Sequence, residues 1–130
     1  MDQLQLFNFY SNVRQLPQGD SIIAEYIWID GSGITLRSKA KTITQPVNSI
    51  EDLPEWNFDG SSCYMATTHN SEVIMKPVFY CKDPFREGNN ILVLCDTYIW
   101  EDENFTKLIP ANTNFRYYAK KIFETEQAKD

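Results

Sequence analysis

The sequence predicts an α+β domain, a small mixed sheet of about four strands with helices packed on one face. Three observations predict it. Residues 34–41 alternate strictly behind a glycine-rich turn. Residues 91–95 form an unbroken apolar run. Phe115, Tyr118, Ala119, Ile122 and Phe123 fall on one helical stripe.

The elements follow in order. Met1 to Asp20 is a lead-in in which Leu4, Phe7 and Val13 hint at a short helix that Pro17-Gln18-Gly19 breaks. Ile22 to Ile29 is rich in β-branched and aromatic residues and reads as a strand. Asp30-Gly31-Ser32-Gly33 supplies the positive-φ positions of a tight turn. Ile34, Leu36, Ser38 and Ala40 then point one way, and Thr35, Arg37, Lys39 and Lys41 the other. This predicts a half-buried strand with a basic outer face, paired with the first as a hairpin over 22–42. Thr44 to Ser62 carries two prolines and reads as loop, with one helical turn near Ile50–Leu53. Val73 to Phe79 is a strand in which Pro77 marks an edge or a bulge. Asp83 to Asn90 is a turn-rich connection, Ile91 to Cys95 a buried strand, and Trp100 to Pro110 a polar loop. Thr113 or Asn114 is the expected N-cap of the last helix.

Composition narrows the function classes. A chain of 130 residues is one domain by default and holds a core without staples. A net charge of −6 argues against nucleic-acid partners, whose binding depends on neutralising phosphates. It argues equally against docking on an anionic membrane. No apolar run reaches the ~18 residues of a transmembrane helix. The first twenty residues lack a signal-peptide core. Cys63, Cys81 and Cys95 are odd in number and lack metal-ligand spacing, so they read as reduced thiols in an intracellular compartment, cytoplasmic or organellar, with mitochondria included.

The most informative segment is Glu55-Trp56-Asn57-Phe58-Asp59-Gly60-Ser61-Ser62. A carboxylate in an Asp-Gly-Ser-Ser loop among aromatic residues suits acid-base or cation-binding chemistry. The plainer reading of Asp59 is an Asx-turn residue that bonds the next backbone N–H groups. Glu101-Asp102-Glu103 and Glu124-Thr125-Glu126 read as solvated surface, and His69 as a surface histidine. Cys81 and Cys95 read as buried small hydrophobes, and Cys63 as a loop thiol with no basic neighbour in sequence. Arg37, Lys39 and Lys41 read as a solvated sheet face, with an acidic protein surface as the partner if they bind one. No residues are expected to bind a metal.

Ordered blocks carry a resemblance. They are Ile22–Ile29 with Asp30-Gly31-Ser32-Gly33, Leu36 to Thr42, Leu53 to Ser62, Asn70 to Ile74, Lys82 to Arg86, Gly88 to Val93 and Thr113-Asn114-Phe115-Arg116. Together they resemble the N-terminal domain of eukaryotic-type (type II) glutamine synthetase. The resemblance implies a β-grasp domain, a ubiquitin-like roll, over 21–130 after a lead-in of 1–20. It implies a place beside an active site shared between ring subunits, with ATP and Mg2+ or Mn2+ held by a barrel domain that this sequence lacks. It matches Asp59 to the aspartate that helps bind and deprotonate ammonium, Ser62 to a loop serine beside it, and places Trp56 in the same loop as a binding residue. Cys63 to His69 departs from the family by losing a glycine and by placing Met65 where glutamine is usual.

No cofactor is expected on this chain alone, and no catalysis by it alone. Three readings stay open: a structural or accessory subunit of a larger protein assembly, a domain lending Asp59 in trans to glutamine synthetase ring subunits, or a part of a longer enzyme.

Overall fold

A computed structural model of the chain describes residues 1–65 and 71–129. The expected position of His69 lies outside the described residues. Six strands form one mixed sheet: β1 (Ile22–Ile29), β2 (Leu36–Ile43), β3 (Trp56–Asp59), β4 (Glu72–Lys82), β5 (Ile91–Trp100) and β6 (Leu108–Pro110). Their spatial order is β2-β1-β5-β4-β3, with β6 on the end of β5. Neighbours run antiparallel except β1 and β5, which are parallel. Helices α1 (Gln3–Arg14) and α2 (Phe115–Lys129) flank the sheet in sequence. The architecture is the expected α+β, with a larger sheet than the expected one.

Two strands were absent from the sequence reading. In β3, Trp56 and Phe58 alternate with Asn57 and Asp59 as a strand should, but the prolines upstream mark the region as loop. β6 is only three residues long and forms because it reaches the exposed end of β5. Pro77 marks a bulge as expected, since the β4–β5 register shifts between Pro77 and Phe79. It also lies beyond the stretch of β4 that pairs with β3, where a missing N–H costs nothing.

The core lies on one face of the sheet. Ala24, Tyr26 and Trp28 of β1, Val93 and Cys95 of β5, and Val73 and Met75 of β4 are buried there. Ile43, Val47, Ile50 and Leu53, which follow β2 and include a 3-10 turn at Ile50–Asp52, close over it. Tyr26 satisfies its hydroxyl by donating to the Pro54 carbonyl at 2.7 Å. Burial of each large apolar side chain contributes about 1.5–3 kcal/mol.

The opposite face is less covered. Ile27 of β1 pairs with Leu94 of β5, and Leu94 with Phe79 of β4. Leu94 and Phe79 stay exposed. α2 lies over part of this face. Asn114 caps the helix as expected, accepting from the Tyr117 N–H at 3.2 Å, and its Nδ2 donates to the Thr97 carbonyl at 2.9 Å. Tyr117 stands edge-to-face on Tyr98, and Arg116 approaches Asp96 at 3.8 Å. The expected apolar stripe does not make that contact, because Phe115, Tyr118, Ile122 and Phe123 all remain exposed. α1 forms with a capping box between Asp2 and Gln5 and buries no residue.

The basic stripe also faces the other way from the expected one. Arg37, Lys39 and Lys41 sit directly across from Trp28, Tyr26 and Ala24, so they share the core face. They are half-buried, while Leu36, Ser38 and Ala40 are exposed. Aromatic rings and the Asp30 carboxylate on that face accept the cations and their apolar stems. Among the cysteines, Cys63 and Cys95 are buried but Cys81 is exposed, because the bulge in β4 turns it to the open face. Burial pushes the Cys95 thiol up to about 12.

Two carboxylates fix the turns. Asp30 accepts from Ser32 Oγ at 2.6 Å and from Arg37 Nε at 3.0 Å, which holds it below the ordinary value. Burial pushes the Asp83 carboxyl up, but bonds from Arg86 and from the Phe85 and Arg86 N–H groups outweigh it and bring it below 3.8. Arg86 also pairs with Glu25 at 2.6 Å, tying the 83–90 turn to β1. A carboxyl depressed on folding contributes stability that is complete above its unfolded value and lost as pH falls through its folded value. Stability should therefore hold down to about pH 4 and fall below it. Arg86→Met, which leaves the buried Asp83 without its cation, should cost about 3 kcal/mol in urea unfolding at pH 7 and flatten the acid limb.

Candidate functional site

Asp59 ends β3 and begins a 3-10 turn over Gly60–Cys63. Its Oδ1 accepts from the Ser61 N–H at 3.0 Å and from Ser61 Oγ at 2.7 Å. The Asx-turn reading is therefore correct as geometry. The side chain is nevertheless exposed, so the turn holds the carboxylate without covering it. Bonds from the Ser61 hydroxyl, the Ser61 N–H and the Ser71 hydroxyl hold the Asp59 carboxyl below the ordinary aspartate range. It is an anion at neutral pH. Ser62 turns its hydroxyl back to the Asp59 backbone carbonyl at 2.9 Å and so braces the turn.

The loop is seated by backbone. The Gly31 N–H donates to the Cys63 carbonyl at 2.8 Å, and the Met65 N–H to the Gly60 carbonyl at 2.9 Å. A side chain at residue 31 would place its Cβ 2.0 Å from the Tyr64 carbonyl oxygen. Glycine is required there so that the β1–β2 turn can lie against the loop. Tyr64 ends the 3-10 turn in the left-handed region, at φ 60°, a conformation that glycine adopts with less cost. Met65, at the position where the resemblance leads one to expect glutamine, packs against the core instead.

Trp28, Arg37, Ser38, Lys39, Phe58, Asp59, Ser62 and Cys63 line a cleft of about 370 Å³. Trp28 and Phe58 stack at 4.2 Å to form its floor. Among the described residues, the buried Trp28 Nε1 has no hydrogen-bond partner. The structure thus brings Asp59 and Ser62 together. Trp56 is elsewhere: it stands edge-to-face on Tyr26 at 5.6 Å and lies beneath Lys39 and Lys41. Arg37 and Lys39 were missed as cleft residues because the stripe was placed on the outer face. The hairpin register, which puts Arg37 opposite Trp28, was the available signal. Cys63 has Arg37 as a fellow lining residue of the cleft, a neighbour that sequence distance hides.

Chemically the cleft lining offers the fixed Asp59 anion together with Arg37 and Lys39 over an aromatic floor. That arrangement can hold a small cation or a zwitterion at Asp59. Among the described residues, no group of three or more His, Cys, Asp or Glu is placed to hold a metal ion. Glu101 pairs with Lys107, and Asp102 accepts from Thr106, so that acidic run is spent on its own turn. Among the described residues, no helix is long and apolar enough to cross a membrane.

The seating of the loop is testable by one substitution. Gly31→Ala should destabilise the fold by about 2–3 kcal/mol in chemical unfolding, the cost of forcing atoms into a filled site. The amide resonances of residues 59–65 should shift more than those of β4. An unchanged midpoint would show that the turn and the loop do not bear on each other.

A family model described as glutamine synthetase, beta-Grasp domain, matches residues 20–99. The chain is 50% identical over 112 residues to a chloroplastic glutamine synthetase of Zea mays, covering 86% of this chain and 25% of that protein. It is 54% identical over 120 residues to a glutamine synthetase nodule isozyme of Lupinus angustifolius, covering 92% and 36%. Against glutamine synthetase cytosolic isozyme 1-2 of Oryza sativa subsp. japonica it is 53% identical over 104 residues, covering 80% and 28%. The chain spans roughly a quarter to a third of the length of these curated relatives. With the match covering most of the chain and the Asp59 loop lying inside it, this chain belongs to the glutamine synthetase β-grasp domain family.

Proposed function

We propose that the chain works as the lid domain of a glutamine synthetase-type assembly. It is non-catalytic alone and presents Asp59 at the rim of a site that another domain or subunit completes. The observation that carries this reading is the state of Asp59: ionised, exposed, and locked by Ser61 on a loop pinned to the β1–β2 turn. An anion held in that way attracts an ammonium ion without rearrangement. Its depressed pKa makes it a better electrostatic partner than a base in the free chain; proton acceptance needs the surroundings that the partner supplies. Phosphoryl transfer needs metal ions and cationic clamps on the transferring group, so ATP and Mg2+ or Mn2+ belong to the completing domain. The relatives named chloroplastic and cytosolic support an intracellular setting.

A second reading has its own observation. α1 buries nothing, and the α2 stripe of Phe115, Tyr118, Ile122 and Phe123 is uncovered. Helices of this length are marginal without tertiary packing. These faces fit a structural or accessory subunit that is held in a larger protein assembly and makes no chemical use of Asp59.

One set of experiments separates the readings. The purified chain with glutamate, ammonium, ATP and Mg2+ should form no glutamine. Co-expressed with the Zea mays relative deleted of its matching N-terminal region, the wild-type chain should restore glutamine formation. Asp59→Asn should co-purify equally and lower turnover by roughly 10²-fold. Co-purification with equal turnover for both chains favours the accessory reading, and turnover by the isolated chain overturns both.

A further inference from the structure

A second concavity, larger than the Asp59 cleft, shares no lining residue with it. It lies between α2 and the β4–β5 pair and encloses about 850 Å³. Small-molecule sites fall in this range, roughly 300–1,000 Å³. Its lining sets Lys76, Arg116, Lys120 and Lys121 against the carboxylates of Asp96 and Glu124. Cations are thus in excess there, in a chain whose net charge is −6. Asp96 has a side chain only 11% exposed, with Arg116 at 3.8 Å and Lys76 as its partner across the β4–β5 ladder. Lys76 also has Glu55, outside the lining, at 3.8 Å. Both contacts exceed the ~2.9 Å of a charge-assisted hydrogen bond, so these cations keep donors to spare. Arg37 and Arg86, by contrast, are spent on carboxylates at 3.0 Å and at 2.6 and 2.9 Å. Lys120 makes no ion pair among the described residues. Lys76 and Lys121 lie over the Tyr98 and Tyr117 rings, each 4.8 Å from the ring centre, and those rings meet edge-to-face. The tyrosine pair therefore holds two ammonium groups, one from the sheet and one from the helix, at a single groove.

We propose that this groove binds a small organic polyanion, a molecule carrying two or more separate carboxylate or phosphate groups. The cations come from both sides, Lys76 from β4 and Arg116, Lys120 and Lys121 from α2, so a ligand with an anion at each end meets both. Arginine offers a planar fork to such groups and lysine a point charge. Val78 and Phe123 in the lining give the carbon skeleton an apolar wall. A monoanion engages only one side and gains half of this attraction. Binding also has a mechanical consequence. The direct contacts of α2 with the sheet come from Asn114, Arg116 and Tyr117, at its start. Lys120 and Lys121 lie one turn further on. A polyanion that bridges Lys76 to Lys120 clamps that next turn onto β4, so occupancy stiffens a helix whose apolar stripe is uncovered. The site is independent of the role proposed for Asp59.

The test uses the whole chain with two probes, citrate, which carries carboxylates alone, and phosphoenolpyruvate, which carries a phosphate and a carboxylate. Acetate is the singly charged control. At fixed low ionic strength, at least one probe should shift the amide resonances of residues 76–78, 96–98 and 116–124 to saturation. The tighter of the two shows which anionic group the groove prefers. Amide hydrogen exchange in α2 should slow in the bound state, and acetate at equal concentration should do neither. Lys76→Gln with Lys120→Gln should weaken binding roughly tenfold, the size expected for two partly exposed ion pairs. Lys76→Arg with Lys120→Arg should retain it. Lys82→Gln with Lys107→Gln removes the same charge outside the lining and should leave it unchanged. No saturable shift with either probe would overturn the proposal. So would shifts centred on residues 37–39 and 59–63, equal shifts with acetate, or an equal effect of the two glutamine pairs.

Discussion

The candidate site depends on a contact between backbones. The β1–β2 turn and the Asp59 loop meet where the Gly31 N–H reaches the Cys63 carbonyl and where no Cβ at residue 31 fits beside Tyr64. Everything functional is built outward from that seam. It sets the start of β2 against the end of β3, and so places Arg37 and Lys39 across a narrow cleft from Asp59. The sheet curls far enough for Lys39 on one edge strand to bond Asn57 on the other. The site is therefore a consequence of the roll, with its two edges brought together over an aromatic floor.

The three anionic turns divide the labour by burial. Asp30 and Asp83 are buried, and each is matched to an arginine and to local donors, so their charges hold the chain's turns. Asp59 uses the same local chemistry, a carboxylate accepting from the residue two ahead, but stays in solvent. One motif thus serves structure where it is enclosed and is available for ligand where it is open. Exposure, and not hydrogen bonding, distinguishes them.

Much of this was legible in the sequence, for identifiable reasons. The β1–β2 hairpin was readable because alternation and a glycine-rich turn coincide. The Asn114 cap and the bulge at Pro77 were readable because each residue has a narrow set of roles. β3 was lost because four residues next to prolines look like loop until their partner in β4 is known. The face of β2 was inverted because lysines imply solvent, and only the register with β1 shows that Trp28, Trp56 and Asp30 receive them. The apolar stripe of α2 gave a true helix, but what covers that stripe is a tertiary question that periodicity does not answer. Asp59 and Ser62 were found together through the motif. Trp56 was assigned to the same site by resemblance or loop position; along β3 it shares a face with Phe58 and lies under Lys39.

The central claim is that the fold holds Asp59 as an exposed, fixed anion before any partner arrives. Titration of the Asp59 carboxyl carbon by NMR in the isolated chain tests it most directly, with Ser61→Ala alongside. The account predicts a pKa below the ordinary aspartate value of 3.8 that rises towards it when the Ser61 hydroxyl is removed. A value at or above 3.8 in the wild-type chain, or one that ignores Ser61, would contradict it.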